Sequence, residues 1–257
     1  MNTKKGKDNK CFIDRTGEKY PTYQKYVIEI IDCMGSQNNT VQFNDEKGTI
    51  LYKIAFKEIS SGSIKNPHHP SVCGIGYSGI GKYRSSFNSK NTKCYEVWRD
   101  MIRRCYDLVK KKTLPTYKTT VVCEEWHNFQ NFGAWFENNW KPHMDGWDLD
   151  KDLKIKGNKV YSPETCLFVP HRINSLIINC HKVRGDCPIG VNRVGNRFIS
   201  RGVGENKDKR FGTVVGAFEH YKLHKEIQIK QIADEWRPLI GEEVYEAMYR
   251  WQVEITD

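Results

Sequence analysis

The sequence predicts an α+β chain of several parts: a small β module first, a helical middle holding a β-loop-β-helix hairpin, and a last part of strands followed by helices. Three observations carry this. Short β-rich runs fill residues 11–65, an apolar spacing of three and four residues begins at Thr92, and turn-separated strands resume near Cys187. With 257 residues, 38% hydrophobic and 12% aromatic, the chain has the length for one to three units and the side chains to bury a core.

In the first part, "YVIEIID", "TVQFND" and "TILYKIAF" read as strands, separated by turn formers such as Met34-Gly35-Ser36 and Lys47-Gly48. They define an N-terminal module over residues 1–70. Residues 71–91 follow, rich in Gly, Pro and Ser, and read as a flexible linker. Gly74, Gly76 and Gly79 form a literal G-x-G-x-x-G there. A dinucleotide loop needs a strand before it and a helix after it, and neither is present.

From Thr92 the period changes. Tyr95, Trp98, Met101, Ile102, Cys105 and Tyr106 recur on one helical face, leaving Arg99, Arg103, Arg104 and Lys110 available elsewhere. "TTVVCEEW" reads as a short strand leading into a second helix with Phe129, Phe132, Trp135, Phe136 and Trp140. Then "WDLDKD", "LKIKGNKVYSPE", "TCLFVP" and "HRINSLII" read as strand, loop, strand and helix, so the middle part spans residues 92–184. The last part, 185–257, opens with "CPIGVNRVGNRFISRGV", continues as a long helix to about Pro238, and closes with a short helix.

The formal charge is +10 with a pI near 9.1, which favours a polyanionic partner, nucleic acid before a membrane surface. Residues 82–118 carry eleven Lys/Arg against three acids, and residues 170–215 carry nine against three. Between them, residues 119–169 hold eight acids and five bases. Two basic regions around a carboxylate-bearing centre suit phosphate gripping at both sides. No apolar run approaches a membrane span, and the basic start lacks an apolar signal core, so the cytoplasm is the expected compartment. Nine cysteines without a C-x-x-C pair argue against a disulfide framework, and Cys180, His181 and Cys187 are the only zinc-like spacing.

The candidate site lies in the hairpin. Strand alternation puts Asp148, Asp150 and Asp152 on one side, which suits a hard cation, and His171 and Asn174 share one helical face at i and i+3.

The segment from Tyr95 to Asn174 resembles the HNH-type homing endonucleases of phages and mobile elements. The matched pieces are "YEVWRDMIRRCY", "VVCEEWHNFQNFGAW", "LDKD" and "YSPETC", in order over about 80 residues. The resemblance implies a ββα-metal domain hydrolysing duplex DNA with one Mg²⁺ or Mn²⁺ held by Asp150 and Asn174. Lys151 falls where the family has its histidine base, and Thr165 falls on the asparagine that orients it. With a lysine there, the base would come from His171, or from His127 or His143. The alternative is a catalytically inactive, sequence-specific DNA-binding protein on the same scaffold.

The last part is similar to the DNA-binding domain of plant ethylene-response factors, on Gly190-Val191, "RFISR" and "FGTVVGAFEHY". That likeness implies a three-stranded sheet in the major groove, with Arg193, Arg197 and Arg201 as reading residues. Double-stranded DNA is therefore the expected partner, contacted also by Arg99, Arg103 and Arg104, with no membrane involved. The oligomeric state is left open by the sequence.

Overall fold

A computed structural model describes residues 3–5, 11–113, 117–177 and 186–257. It is a mixed α+β chain that divides into two compact units, Met1–Asp107 with Glu124–Gly133, and Leu108–Cys123 with Ala134–Asp257.

In the first unit, β1 (Thr3–Lys5) and β2 (Cys11–Ile13) pair antiparallel. Then β3 (Lys19–Pro21), β4 (Val27–Cys33), β5 (Asn39–Phe43) and β6 (Ile50–Ile54) form an antiparallel meander in chain order. Alternation explains its core: Ile28 and Ile30 on β4 and Val41 and Phe43 on β5 are buried against Ile59 of α1 (Phe56–Ser61). A bulge between Ile30 and Asp32 shifts the register and lets Cys33 turn inward.

The stretch expected to be a flexible linker is instead tied down at several points. Val72 and Gly76 form an isolated antiparallel bridge, and the Tyr77 N–H donates to His127 O while Phe129 N–H donates to Tyr77 O. Gln130 holds Tyr83 from both sides, accepting its N–H and donating to its carbonyl, each at 3.0 Å. The glycines serve this close packing. Gly79 has φ +65°, and a Cβ there would sit 2.1 Å from Asn128 Oδ1. Composition alone reads as a linker because the partners that order it lie fifty residues downstream.

After this stretch come a two-stranded hairpin, β7 (Ser86–Phe87) and β8 (Lys90–Asn91), and the helix α2 (Lys93–Tyr106). Thr92 caps α2 by accepting the Tyr95 N–H at 3.3 Å. The expected stripe is the buried one: Trp98, Met101, Ile102 and Cys105. Trp98 donates its indole N–H to Trp126 O at 2.8 Å, and Phe129 and Phe132 complete the aromatic packing.

The second unit begins with α3 (Leu108–Thr113) and β9 (Val121–Val122), and takes up α4 (Phe129–Asn139) from Ala134 onward. The hairpin follows: β10 (Asp148–Asp150) pairs antiparallel with β12 (Leu167–Val169), while β11 (Val160–Tyr161), inside the intervening loop, pairs parallel with β9. The helix α5 (His171–Ile177) starts one residue beyond Pro170. Strand, loop, strand and helix therefore appear in the expected order.

A three-stranded antiparallel sheet follows, β13 (Val191–Val194), β14 (Arg197–Ser200) and β15 (Lys209–Phe211), covered on one face by α6 (Val214–Trp236), with α7 (Glu242–Arg250) after it. A boundary near residue 184 does not separate two cores. Leu153, Leu167, Val169 and Ile173 of the hairpin region share one buried cluster with Val191, Ala217, Tyr221 and Met248. The apolar side chains of the two regions pack against one another, so the two make one core. Gly190 shows how tight this core is: φ is +71°, and a Cβ would lie 2.1 Å from the Tyr221 ring. Among the described residues no helix is long and apolar enough to cross a membrane.

Candidate functional site

The antiparallel register of β10 and β12 sets the site. Asp148 pairs with Val169, and Pro170 and then α5 follow directly, so Asp148 lies beside the first turn of the helix. His171 and Asn174 occupy that turn on one face. The His171 Nδ1 lies 2.8 Å from Asp148 Oδ2, and the Asn174 amide Nδ2 donates to the same oxygen at 2.8 Å. Ser175 Oγ lies 3.4 Å from the other ring nitrogen, Nε2. The imidazole is 75% exposed and the carboxylate 26%. This is a solvent-facing acid–imidazole pair, with an amide sharing the acid.

Asp150, expected at the centre, is placed differently. It is buried, and its Oδ2 accepts the backbone N–H groups of Asp152 at 2.9 Å and Leu153 at 2.7 Å. The strand ends at Asp150, so its side chain caps the turn that follows and the Asp148–Asp150–Asp152 alternation stops there. Burial, and then the Asp152 carboxylate, push Asp150 up to about 6, against the pull of the Leu153 N–H. The structure joins Asn174 to Asp148 rather than to Asp150.

Lys151, which the HNH resemblance sets where a histidine base is expected, is also buried. Its Nζ pairs with Asp152 Oδ2 at 3.0 Å and sits 5.8 Å from the centroid of the Tyr161 ring. Thr165 closes the loop, donating to Val160 O at 2.8 Å and accepting the Ser162 N–H at 3.2 Å. His143 packs edge-on to Trp147. Cys180 and His181 lie outside the described residues, and among those described no group of three His, Cys, Asp or Glu side chains is arranged for a metal ion. The Asp150–Asn174 pair expected from the sequence is not the one that hydrogen bonds join: Asp150 Oδ2 takes two backbone N–H groups, and the Asn174 amide turns to Asp148. The donors that do meet at this end are the Asp148 carboxylate, the Asn174 amide and the His171 ring.

The second candidate surface is the three-stranded sheet. Cross-strand pairs share a face, and the register gives Val191 with Ser200, Asn192 with Ile199, Arg193 with Phe198 and Val194 with Arg197. Val191 and Ser200 are buried, and Ser200 Oγ meets His220 Nδ1 of α6 at 3.1 Å, which fixes their face as the helix side. Phe198 packs on the same core, so Arg193 belongs to that side, its guanidinium 6.0 Å from the centroid of the Phe198 ring.

Arg197 and Arg201 lie on the opposite, open face. Arg210, paired with Ile199, joins them there. Of the three arginines expected to read DNA, two share the open face and one does not. Arg210 was missed because which side it takes depends on the β14–β15 register, which the sequence does not reveal. Arg201 is braced: with the Asn192 amide donating to Val191 O, its Oδ1 accepts from Arg201 Nε and Nη2, both at 2.9 Å, and Asp208 lies 3.6 Å from Nη1.

No family model, curated protein or solved structure matches this chain. Its function therefore rests on the geometry alone.

On α2 the three expected arginines are half-buried. Arg99 pairs with Asp100 and Arg103 with Asp107, each at 3.5 Å. Such partly exposed pairs are weak. Asp148 is the other residue that sequence reading undervalued. Its signal was the single residue between "LFV" and "HRIN", which brings the partner strand's end against the helix start.

Proposed function

We propose that this protein binds duplex DNA through the open face of the β13–β14–β15 sheet. The observation that carries the reading is the grouping of Arg197, Arg201 and Arg210 on the one face that α6 leaves uncovered. The major groove admits β-strands, and guanidiniums pair bidentately with guanine edges or phosphates. The Asn192 brace reduces the freedom Arg201 loses on binding. The test is duplex binding by fluorescence anisotropy across a salt series. A steep fall of affinity with salt supports the reading, and salt-independent or absent binding removes it.

A second reading, hydrolysis of the phosphodiester backbone as in HNH-type endonucleases, is favoured by one further observation, the Asp148–His171 pair. A carboxylate on Nδ1 orients an imidazole so that Nε2 can take a proton from water, the role Lys151 cannot fill while buried beside Asp152. Asp148 and the Asn174 amide oxygen would be the donors for a magnesium or manganese ion, which supplies positive charge to the scissile phosphate when bound. Plasmid nicking with each metal separates the two readings: supercoiled substrate that persists at excess protein leaves a DNA-binding protein without turnover.

A further inference from the structure

The hairpin formed by β7 and β8 has no counterpart in either reading. Residues 84–91 are exposed throughout, in a chain whose neighbouring segments are packed. Its two-residue turn, Asn88-Ser89, has φ +47° and +61°, the left-handed pair that a tight hairpin requires. Phe87, directly opposite Lys90, is 63% exposed. Residues 82–93 contain Lys82, Arg84, Lys90 and Lys93 and no acid.

The base of the hairpin is firmly held. Thr92 donates its N–H to Ser85 O at 3.0 Å and its hydroxyl to Arg84 O at 2.8 Å, while capping α2. Gln130 clamps Tyr83 immediately before it. An aromatic ring is thus presented to solvent on a short, braced, uniformly basic ribbon.

We infer that this hairpin is a DNA wedge: Phe87 inserts at a base step of duplex DNA while Lys90 and Arg84 meet the flanking phosphates. The inference rests on the duplex-binding reading above. The occupant follows from charge and shape together. Arg84 and Lys90 stand on an exposed segment, residues 84–91, whose sequence holds no acid, which calls for a polyanion, and a flat ring at the tip has its best partner in the face of an unstacked base. The cost of unstacking a step is offset by burial of the ring and by the phosphate contacts. Bracing matters here, because a floppy finger would lose entropy on insertion.

The experiment uses the full chain and a duplex carrying 2-aminopurine beside TA steps, which deform easily. Wild-type protein raises the fluorescence on binding. Phe87→Ala abolishes the rise and weakens binding by roughly three- to tenfold, and Phe87→Trp restores both. Lys90→Ala weakens binding and lowers its salt dependence, but keeps the fluorescence rise. The site is exposed, so all variants should melt with the wild type. Equal fluorescence and affinity for Phe87→Ala overturn the wedge while leaving duplex binding intact, as does a rise seen only with single strands. Failure of the wild type to be retained on any duplex removes both.

Discussion

Asn174 donates its side-chain amide to Asp148 Oδ2 at 2.8 Å, joining the start of α5 to the first residue of β10. His171 meets the same oxygen, so three polar groups converge there, two residues upstream of the aspartate that the sequence motif singles out. If this chain cleaves DNA, Asp148→Asn and His171→Ala should each lower nicking by about 10²–10⁴, the usual worth of a positioned base. For His171→Ala stability should change by less than about 1 kcal/mol, since the imidazole is largely exposed. Plasmid nicking with thermal melts in parallel checks both.

Asp150 gives the opposite pattern. Its folded state favours the protonated carboxyl, with the pKa pushed up to about 6 from an ordinary value near 3.8. The contribution is therefore most favourable below the ordinary value and is lost as pH rises from there through 6. Above that range the buried carboxylate costs at most about 3 kcal/mol. Asp150→Asn keeps an oxygen for the Asp152 and Leu153 N–H groups and removes the charge. It should be more stable than the wild type at pH 7.5 and no more stable at pH 4. Urea denaturation at the two pH values decides. A variant less stable at pH 7.5 would show that the carboxylate contributes more than its burial costs.

The open sheet face makes a separate prediction. Arg197→Ala and Arg210→Ala should each weaken duplex binding and reduce the salt slope by about one where the contact is to phosphate. Arg193→Ala should leave the slope nearly unchanged, because its side chain runs along Phe198 on the helix side. Anisotropy titrations at several salt concentrations distinguish them.

Local patterns were legible in the sequence where one element determines them. The Trp98, Met101, Ile102 and Cys105 spacing gave the buried stripe of α2, and the run from "WDLDKD" to "HRINSLII" gave β10, loop, β12 and α5 in order. What depends on pairing between distant segments was not legible. Which aspartate faces Asn174 follows from the β10–β12 register, and which arginines share a face follows from β14–β15. The ordering of residues 71–91 depends on Asn128 and Gln130, far along the chain. Glycine content points to freedom of the backbone, whereas here it permits close approach.

The shared core of the second unit predicts how it unfolds. Leu153 and Val169 from the hairpin region touch the same cluster as Val191, Tyr221 and Met248, so neither region keeps its apolar side covered without the other. Gly190→Ala places a methyl 2.1 Å from the Tyr221 ring at a φ of +71°, combining overpacking with backbone strain. It should destabilise the fold by about 2 kcal/mol or more. Val169→Ala, a cavity mutation remote in sequence, should lower the same transition by about 1–3 kcal/mol. Calorimetry that detects one transition, moved by both substitutions, fits a continuous core. Two transitions, each sensitive to only one variant, would divide it at the boundary near residue 184.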